Sequence, residues 1–233
     1  MGQRKHEYDM NYFEEIDSIP KAYFLGWMFT DGNIKGLDSA RIQVQEKDRD
    51  VLDLFLEEIN GTTKMIKYEK GKEQYPILWM NSRKLVSDLV SLGCIPRKTF
   101  VVKPPNIPKK FQKPFWRGCW EADGSLIISD QRKKRNGYRA IIAYNGTKEM
   151  CIGFQNYMGW DTKIFPSNRG QKSKIKTQRT AKSISFVKKS LKEFEKIYDD
   201  TDFFLKRKKN LFDFFLRERE FYEKEQYYLV EGR

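Results

Sequence analysis

Two segments of this chain carry the same constraint. Tyr23-Phe24-Leu25-Gly26-Trp27-Met28-Phe29-Thr30-Asp31-Gly32 and Phe115-Trp116-Arg117-Gly118-Cys119-Trp120-Glu121-Ala122-Asp123-Gly124 each place a glycine five positions before an Asp-Gly pair, and the copies stand 92 positions apart. Both follow a proline, Pro20 and Pro114, suited to the first turn of a helix, where its missing N–H is no loss. The pattern predicts helices over Pro20–Asp31 and Pro114–Asp123. Ala22, Gly26 and Thr30 recur every fourth residue in one, Gly118 and Ala122 in the other, so the small side chains share a face. A mid-helix glycine costs about 1 kcal/mol relative to alanine, so its occurrence twice at one place implies that close backbone approach is what it provides. Gly26 and Gly118 are therefore assigned to a contact between the two helices.

The rest of the chain repeats this plan. Further helices are predicted over Asp50–Ile59, Lys84–Leu92, Glu149–Tyr157 and Val187–Ile197, with strand-like runs between them. Arg41-Ile42-Gln43-Val44-Gln45 alternates polar and apolar, which puts Arg41, Gln43 and Gln45 on one face of a sheet. Lys174, Lys176, Gln178, Thr180 and Lys182 recur at the same period in the second half. Each half reads helix, hairpin, helix, hairpin or strand, helix, an α+β arrangement made of two αββαββα-type repeats packed through the duplicated helices. The segment KPPNIPKKFQK, residues 103–113, holds three of the eight prolines and interrupts the periodicity. The expected division is 1–102, a linker 103–113, and 114–233.

Composition narrows the chemistry. His6 is the single histidine, and Cys94, Cys119 and Cys151 lie far apart, so a zinc site, a histidine-based nuclease, a Ser-His-Asp triad and a disulfide framework lack their material. Catalysis would have to run on carboxylates, lysines and a bound metal. No run is long and apolar enough to span a membrane, and residues 1–10 are not a secretory signal, so no membrane partner and a cytoplasmic or organellar location are expected. The net charge of +13 points to a polyanion. It is uneven: up to Lys110 there are 18 basic against 16 acidic residues, and beyond it 27 against 16, or +2 against +11. Two acid-free stretches carry most of the excess, one holding Arg132, Lys133 and Arg139, the other Lys172, Lys174, Lys176 and Lys182. Arginine and glutamine on a sheet face suit base edges, and lysines in loops suit phosphates; a solvated sheet face is the competing reading for each residue alone.

Asp31 and Asp123 fall at helix C-termini, where the macrodipole disfavours a carboxylate by about 0.3–1 kcal/mol. Side by side they would also repel one another. An Asp-Gly turn explains one copy, but two copies on matched helices are better explained by a divalent cation, because Mg²⁺ favours hard oxygen ligands.

The pair of segments resembles the two motifs of a LAGLIDADG homing endonuclease in its single-chain form, over about Ile19 to Leu216. Gly26, Asp31 and Gly32, with Gly118, Asp123 and Gly124, carry the resemblance, while Phe29 stands where that family often has an acid. The resemblance implies two sheets forming a saddle over double-stranded DNA. It implies a monomer that breaks both strands at a long asymmetric site with Mg²⁺, or another divalent cation such as Mn²⁺. It assigns Asp31, Asp123, Gly32 and Gly124 to the metal. Lysines near the end of each repeat, Lys98 and Lys208, are assigned to the scissile phosphates, with Lys206 and Lys209 as competing alignments for the second. Glu46, at the end of the first hairpin, is assigned to a metal-bound water, with Thr147 at the corresponding place in the second half and Gln45 and Gly146 as the alternative occupants of those places. Intron RNA is a further partner if the chain is instead a group I intron maturase, and a non-catalytic DNA-binding regulator is the third reading. Both retained aspartates favour the nuclease.

Overall fold

The computed structural model describes residues 7–69, 71, 75–130, 138–166, 181–186, 194–198 and 203–217. The first repeat runs α1 (Ile19–Phe29), β1 (Gly32–Lys35), β2 (Ser39–Gln43), α2 (Asp50–Glu58), β3 (Ile66–Lys67), β4 (Ile77–Asn81) and α3 (Arg83–Ser91). The second runs α4 (Gln112–Asp123), β5 (Gly124–Asp130), β6 (Tyr138–Gly146), α5 (Lys148–Met158), β7 (Ile164–Pro166) and β8 (Ala181–Phe186), followed by a helical segment over 206–217. Each repeat builds a four-stranded antiparallel sheet, ordered β1-β2-β4-β3 and β5-β6-β8-β7. The α+β class and the duplicated topology thus agree with the sequence reading.

The local reasons are legible in the residues. Ser18 caps α1, its Oγ accepting from Lys21 N, and proline sits in the first turn. The helix stops short of Asp31, because Thr30 Oγ1 donates back to the carbonyls of Gly26 and Trp27 and the backbone leaves the helical region at that residue. Strand β2 buries Ala40 and Ile42 and leaves Ser39, Arg41 and Gln43 half-exposed. Gln45 falls outside that strand, since a 3₁₀ turn, Glu46–Asp48, follows directly. The proposed linker is not a loose tether. Ile107 and Phe111 are buried along it, Thr147 Oγ1 donates to the carbonyl of Val102 just before it, and α4 already opens at Gln112. The helix expected over Val187–Ile197 lies largely outside the described residues. No described helix is long and apolar enough to cross a membrane.

The two repeats meet along α1 and α4. Every residue of α1 from Ala22 to Phe29 is buried, and one apolar core runs through both halves. At the crossing the backbones touch. A Cβ on Gly26 would press on the Phe115 carbonyl oxygen and lie 2.8 Å from Cys119 N; one on Gly118 would press on the Tyr23 carbonyl oxygen and lie 3.3 Å from Gly26 Cα. Around this crossing two equivalent positions, Phe29/Glu121 and Tyr23/Phe115, make different contacts in the two copies. Phe29 meets Phe115 edge to face at 5.4 Å, whereas its counterpart Glu121 accepts a 2.6 Å hydrogen bond from the Tyr23 hydroxyl.

Because the obstructing atoms are backbone, even Gly118→Ala should force α1 and α4 apart. Overpacking of this kind costs about 1–3 kcal/mol, or roughly 2–12 °C in melting temperature for a chain of this size. Differential scanning calorimetry would measure it, and an unchanged melting temperature would contradict the contact.

Candidate active site

The parallel ends of α1 and α4 deliver Asp31 and Asp123 to neighbouring positions, each followed by a glycine. Gly32 and Gly124 are needed for room: a side chain on Gly32 would run into the Met28 backbone, its Cβ 2.6 Å from Met28 Cα, and one on Gly124 into Trp120. The carbonyls that end both helices converge on the same region, where intrahelical donors run out, although the Trp120 carbonyl still accepts from Gly124 N. Two lysines supply further donors. Lys98 Nζ donates to the Thr30 carbonyl at 2.8 Å and the Gly32 carbonyl at 2.5 Å, and Lys208 Nζ donates to the Trp120 carbonyl at 3.2 Å and the Gly124 carbonyl at 2.6 Å. Both lysines are buried, 7% and 6% exposed, so their ammonium groups are held in place by the dipole ends of the motif helices. Lys206 is exposed and Lys209 pairs with Asp213, which leaves Lys208 as the geometric counterpart of Lys98.

Two clefts flank the helix pair, and each draws on both repeats. The larger, about 610 Å³, is lined by Asp31, Gln43, Gln45, Lys47 and Asp48 from the first repeat and by Gly124, Ser125, Arg207 and Lys208 from the second. The smaller, about 190 Å³, is lined by Thr30, Lys98 and Thr99 from the first and by Asp123, Tyr144, Asn145 and Thr147 from the second. Each cleft therefore joins the aspartate of one repeat to the lysine of the other. The side chain of Asp31 opens onto its cleft, yet the protein enclosing the floor, and then the charge of Asp123, hold its carboxyl above the ordinary carboxylate range against the pull of Lys208 and Lys98. Burial holds both lysines below the ordinary lysine range, opposed for Lys98 by Cys94, Asp123 and Asp31, and for Lys208 chiefly by Glu121. Glu121 itself is buried and accepts from Leu205 N at 2.8 Å, which ties the backbone just ahead of Lys208 to α4.

Other residues singled out from the sequence fall in different places. Glu46 is exposed, accepts from the Tyr68 hydroxyl at 3.2 Å and does not line the cleft; Asp48, two residues on, does. The 3₁₀ turn rotates the chain between them, a shift that strand periodicity could not foretell. Thr147 lines the smaller cleft but is spent as the cap of α5, accepting from Met150 N at 3.1 Å. The Gly32 and Gly124 carbonyls accept from the Lys98 and Lys208 ammonium groups. Arg41 lies over the Trp79 ring at 5.1 Å and 3.9 Å from Glu69; Gln43 and Gln45 line the larger cleft. Arg132, Lys133, Lys172, Lys174, Lys176 and Gln178 lie outside the described residues. So do the side chains of Arg139 and Lys182, whose backbones belong to β6 and β8. Arg207 was not anticipated, although Arg97-Lys98 and Arg207-Lys208 form a duplicated dipeptide that pointed to it.

The donor set fits a divalent cation. Two neighbouring carboxylates that repel one another offer hard oxygens, and Mg²⁺ takes one or two carboxylates while keeping several waters. Among the described residues there is no cluster of three or more carboxylate, histidine or cysteine ligands, so a ligand-rich cage of the structural zinc or calcium kind is not formed.

No family model matches the sequence, and no curated protein does. The fold does match solved structures. The LAGLIDADG homing endonuclease I-GzeII in complex with its DNA target superposes with a TM-score of 0.60 at 11% identity, covering 88% of this chain and 91% of that one. The LAGLIDADG meganuclease I-AabMI bound to uncleaved DNA gives 0.58 at 10% identity, covering 88% and 92%. This chain has the LAGLIDADG homing endonuclease fold. I-SmaMI, bound to an uncleaved DNA target in the presence of calcium ions, shares it with a TM-score of 0.53 at 9% identity, covering 83% and 88%. In the LAGLIDADG fold seen here the motif helices make the contact between repeats and their Asp-Gly ends form the floor of both clefts.

A carboxyl held above its ordinary range favours folding at acid pH, and that contribution is lost as pH rises through the shifted value. In a metal chelator, Asp31→Asn should therefore melt higher than the wild type at about pH 8, and the gap should shrink towards about pH 4, where both forms are neutral. Thermal scans across that range measure it. A gap independent of pH would separate Asp31 from the repulsion described here.

Proposed function

We propose that the chain is a site-specific DNA endonuclease of the LAGLIDADG homing type, a monomer that hydrolyses one phosphodiester of each strand at a long asymmetric duplex site with the help of a divalent metal. The observation that carries this reading is the pairing, in each of two clefts, of an aspartate from one repeat with a buried lysine from the other. Two such constellations side by side suit two phosphates on opposite strands.

Asp31 and Asp123 would hold the metal, Mg²⁺ or Mn²⁺, which when bound supplies a water of lowered pKa and polarises phosphoryl oxygen. The lysines have fixed positions before substrate arrives. Nζ of Lys98 and of Lys208 is anchored on helix-end carbonyls and can place its remaining proton towards a phosphate oxygen, offsetting charge that builds on phosphorus. No protein nucleophile is required. The two sheets would form a saddle over the duplex, with the half-exposed row of Ser39, Arg41 and Gln43 towards base edges and the basic loops of the second half towards phosphates.

Asp31→Asn and Asp123→Asn should each abolish efficient double-strand cleavage and leave binding intact, since removing a carboxylate loses no contact to a polyanion. Cleavage gels and equilibrium binding on the same duplex separate the two effects. A variant that cuts both strands at the wild-type rate would refute the metal assignment.

The basic second half sets a different expectation. Replacing Lys172, Lys174 and Lys176 by alanine should flatten log K against log salt by up to about three units, at about 0.9 per phosphate contact, without changing the preferred sequence. Changing Arg41 or Gln43 should relax sequence preference and leave the slope unchanged. Salt titrations on matched and mismatched duplexes distinguish these, and an unaltered slope in the lysine variant would mark that segment as a solvated face.

A further inference from the structure

The larger cleft contains an ion pair that duplication of the repeat does not explain. Asp48, from the first repeat, is met side-on by Arg207, from the second: Nε donates to Oδ1 at 2.7 Å and Nη2 to Oδ2 at 3.0 Å. The burial of the two partners is unequal, with the Asp48 side chain 13% exposed and that of Arg207 40%. The carboxylate is thus packed behind the guanidinium, which faces the same cleft as Asp31 and Lys208. A guanidinium has two edges suited to an oxyanion. Asp48 takes the Nε edge, and Arg207 makes no other hydrogen bond among the described residues, so the Nη1–Nη2 edge is available to a second anion.

The other cleft is built differently. Arg97 precedes Lys98 as Arg207 precedes Lys208, but Arg97 is exposed, adopts a left-handed backbone with φ of 57° and does not line the cleft. The turn that sends Lys98 inward carries its neighbour away.

We propose that Arg207 binds a phosphate of the DNA strand served by the Asp31 cleft, and that Asp48 is its positioning residue, acting across the two repeats; the inference rests on the endonuclease reading above. An arginine held by one edge offers two parallel N–H groups to two phosphate oxygens at little entropic cost, which a lysine cannot reproduce. The Asp31 cleft then has a guanidinium and an ammonium for its phosphate, and the Asp123 cleft an ammonium alone. The two strands are handled by unlike sites.

The test uses the full chain and a duplex that wild-type protein selects from a randomised library in Mg²⁺, with each strand end-labelled in turn. Arg207→Ala should slow cleavage of one strand at least about tenfold and leave the other within about twofold, and should flatten the salt slope of binding by about 0.9 unit. Asp48→Ala should slow the same strand, and Arg97→Ala should slow neither. The exchanged double variant, Asp48→Arg with Arg207→Asp, restores the ion pair but puts an acid towards the phosphate. Its strand bias should persist at wild-type melting temperature. Rescue of cleavage by that exchange, equal slowing of both strands, or slowing of neither would overturn the proposal. If wild-type protein binds the selected duplex and cuts neither strand, the endonuclease reading fails and the salt slope decides alone: an Arg207→Ala slope equal to wild type overturns the phosphate contact, and a flatter one supports it.

Discussion

The contact of two helix backbones at Gly26 and Gly118 is the constraint on which the rest depends. Only where α1 and α4 approach to the limit of their main chains do the two Asp-Gly ends arrive together, and only then do four charged side chains share one field. That proximity is unfavourable in itself. Two carboxylates near the negative ends of two helices raise one another's energy, and the structure offsets this with two buried ammonium groups anchored on the same helix ends. The glycines, the aspartates and the lysines are therefore one device. Loss of the close approach would separate the acids, and loss of the lysines would remove donors from the helix-end carbonyls as well as the acids' counter-charge.

Much of this was legible in the sequence, for reasons that can be traced to particular residues. Helical glycine is costly enough to be informative when it occurs twice at one spacing, so the crossing could be inferred before any coordinates. The lysines were reached through their position at the end of each repeat, and the structure shows why Lys208 rather than Lys206 or Lys209 fits: one helical turn points a single side chain at the Trp120 and Gly124 carbonyls, while Lys209 is drawn to Asp213. What the sequence concealed depends on turns. Strand alternation was read through Gln45, and the resemblance placed Glu46 at the end of that hairpin, whereas a 3₁₀ turn follows β2 and brings Asp48, not Glu46, to the cleft wall. Likewise, which acid faces which arginine across 159 positions is a matter of tertiary placement that no local pattern encodes.

The two clefts show what duplication leaves free to change. Their common parts are the aspartate and the lysine, both tied to the helix ends. The remaining wall differs: the larger cleft has Lys47, Asp48 and Arg207, while the smaller has Tyr144, Asn145 and a threonine engaged in capping α5. The shared elements rest on main-chain geometry and the variable ones on loops and strand ends, so the walls can diverge without moving the floor.

The unlike pair at the helix crossing settles which repeat can accept which partner. In the chain as it stands, Phe29 faces Phe115 and Glu121 faces the hydroxyl of Tyr23. Two copies of the second repeat would set Glu121 against Phe115, costing the buried carboxylate its phenol donor, a loss of about 1–3 kcal/mol for a buried polar group. Two copies of the first would set Phe29 against Tyr23 and strand the phenol. The crossing therefore favours marriage of unlike halves over self-pairing of either, and the covalent join between them is reinforced by a choice of partner written into four side chains.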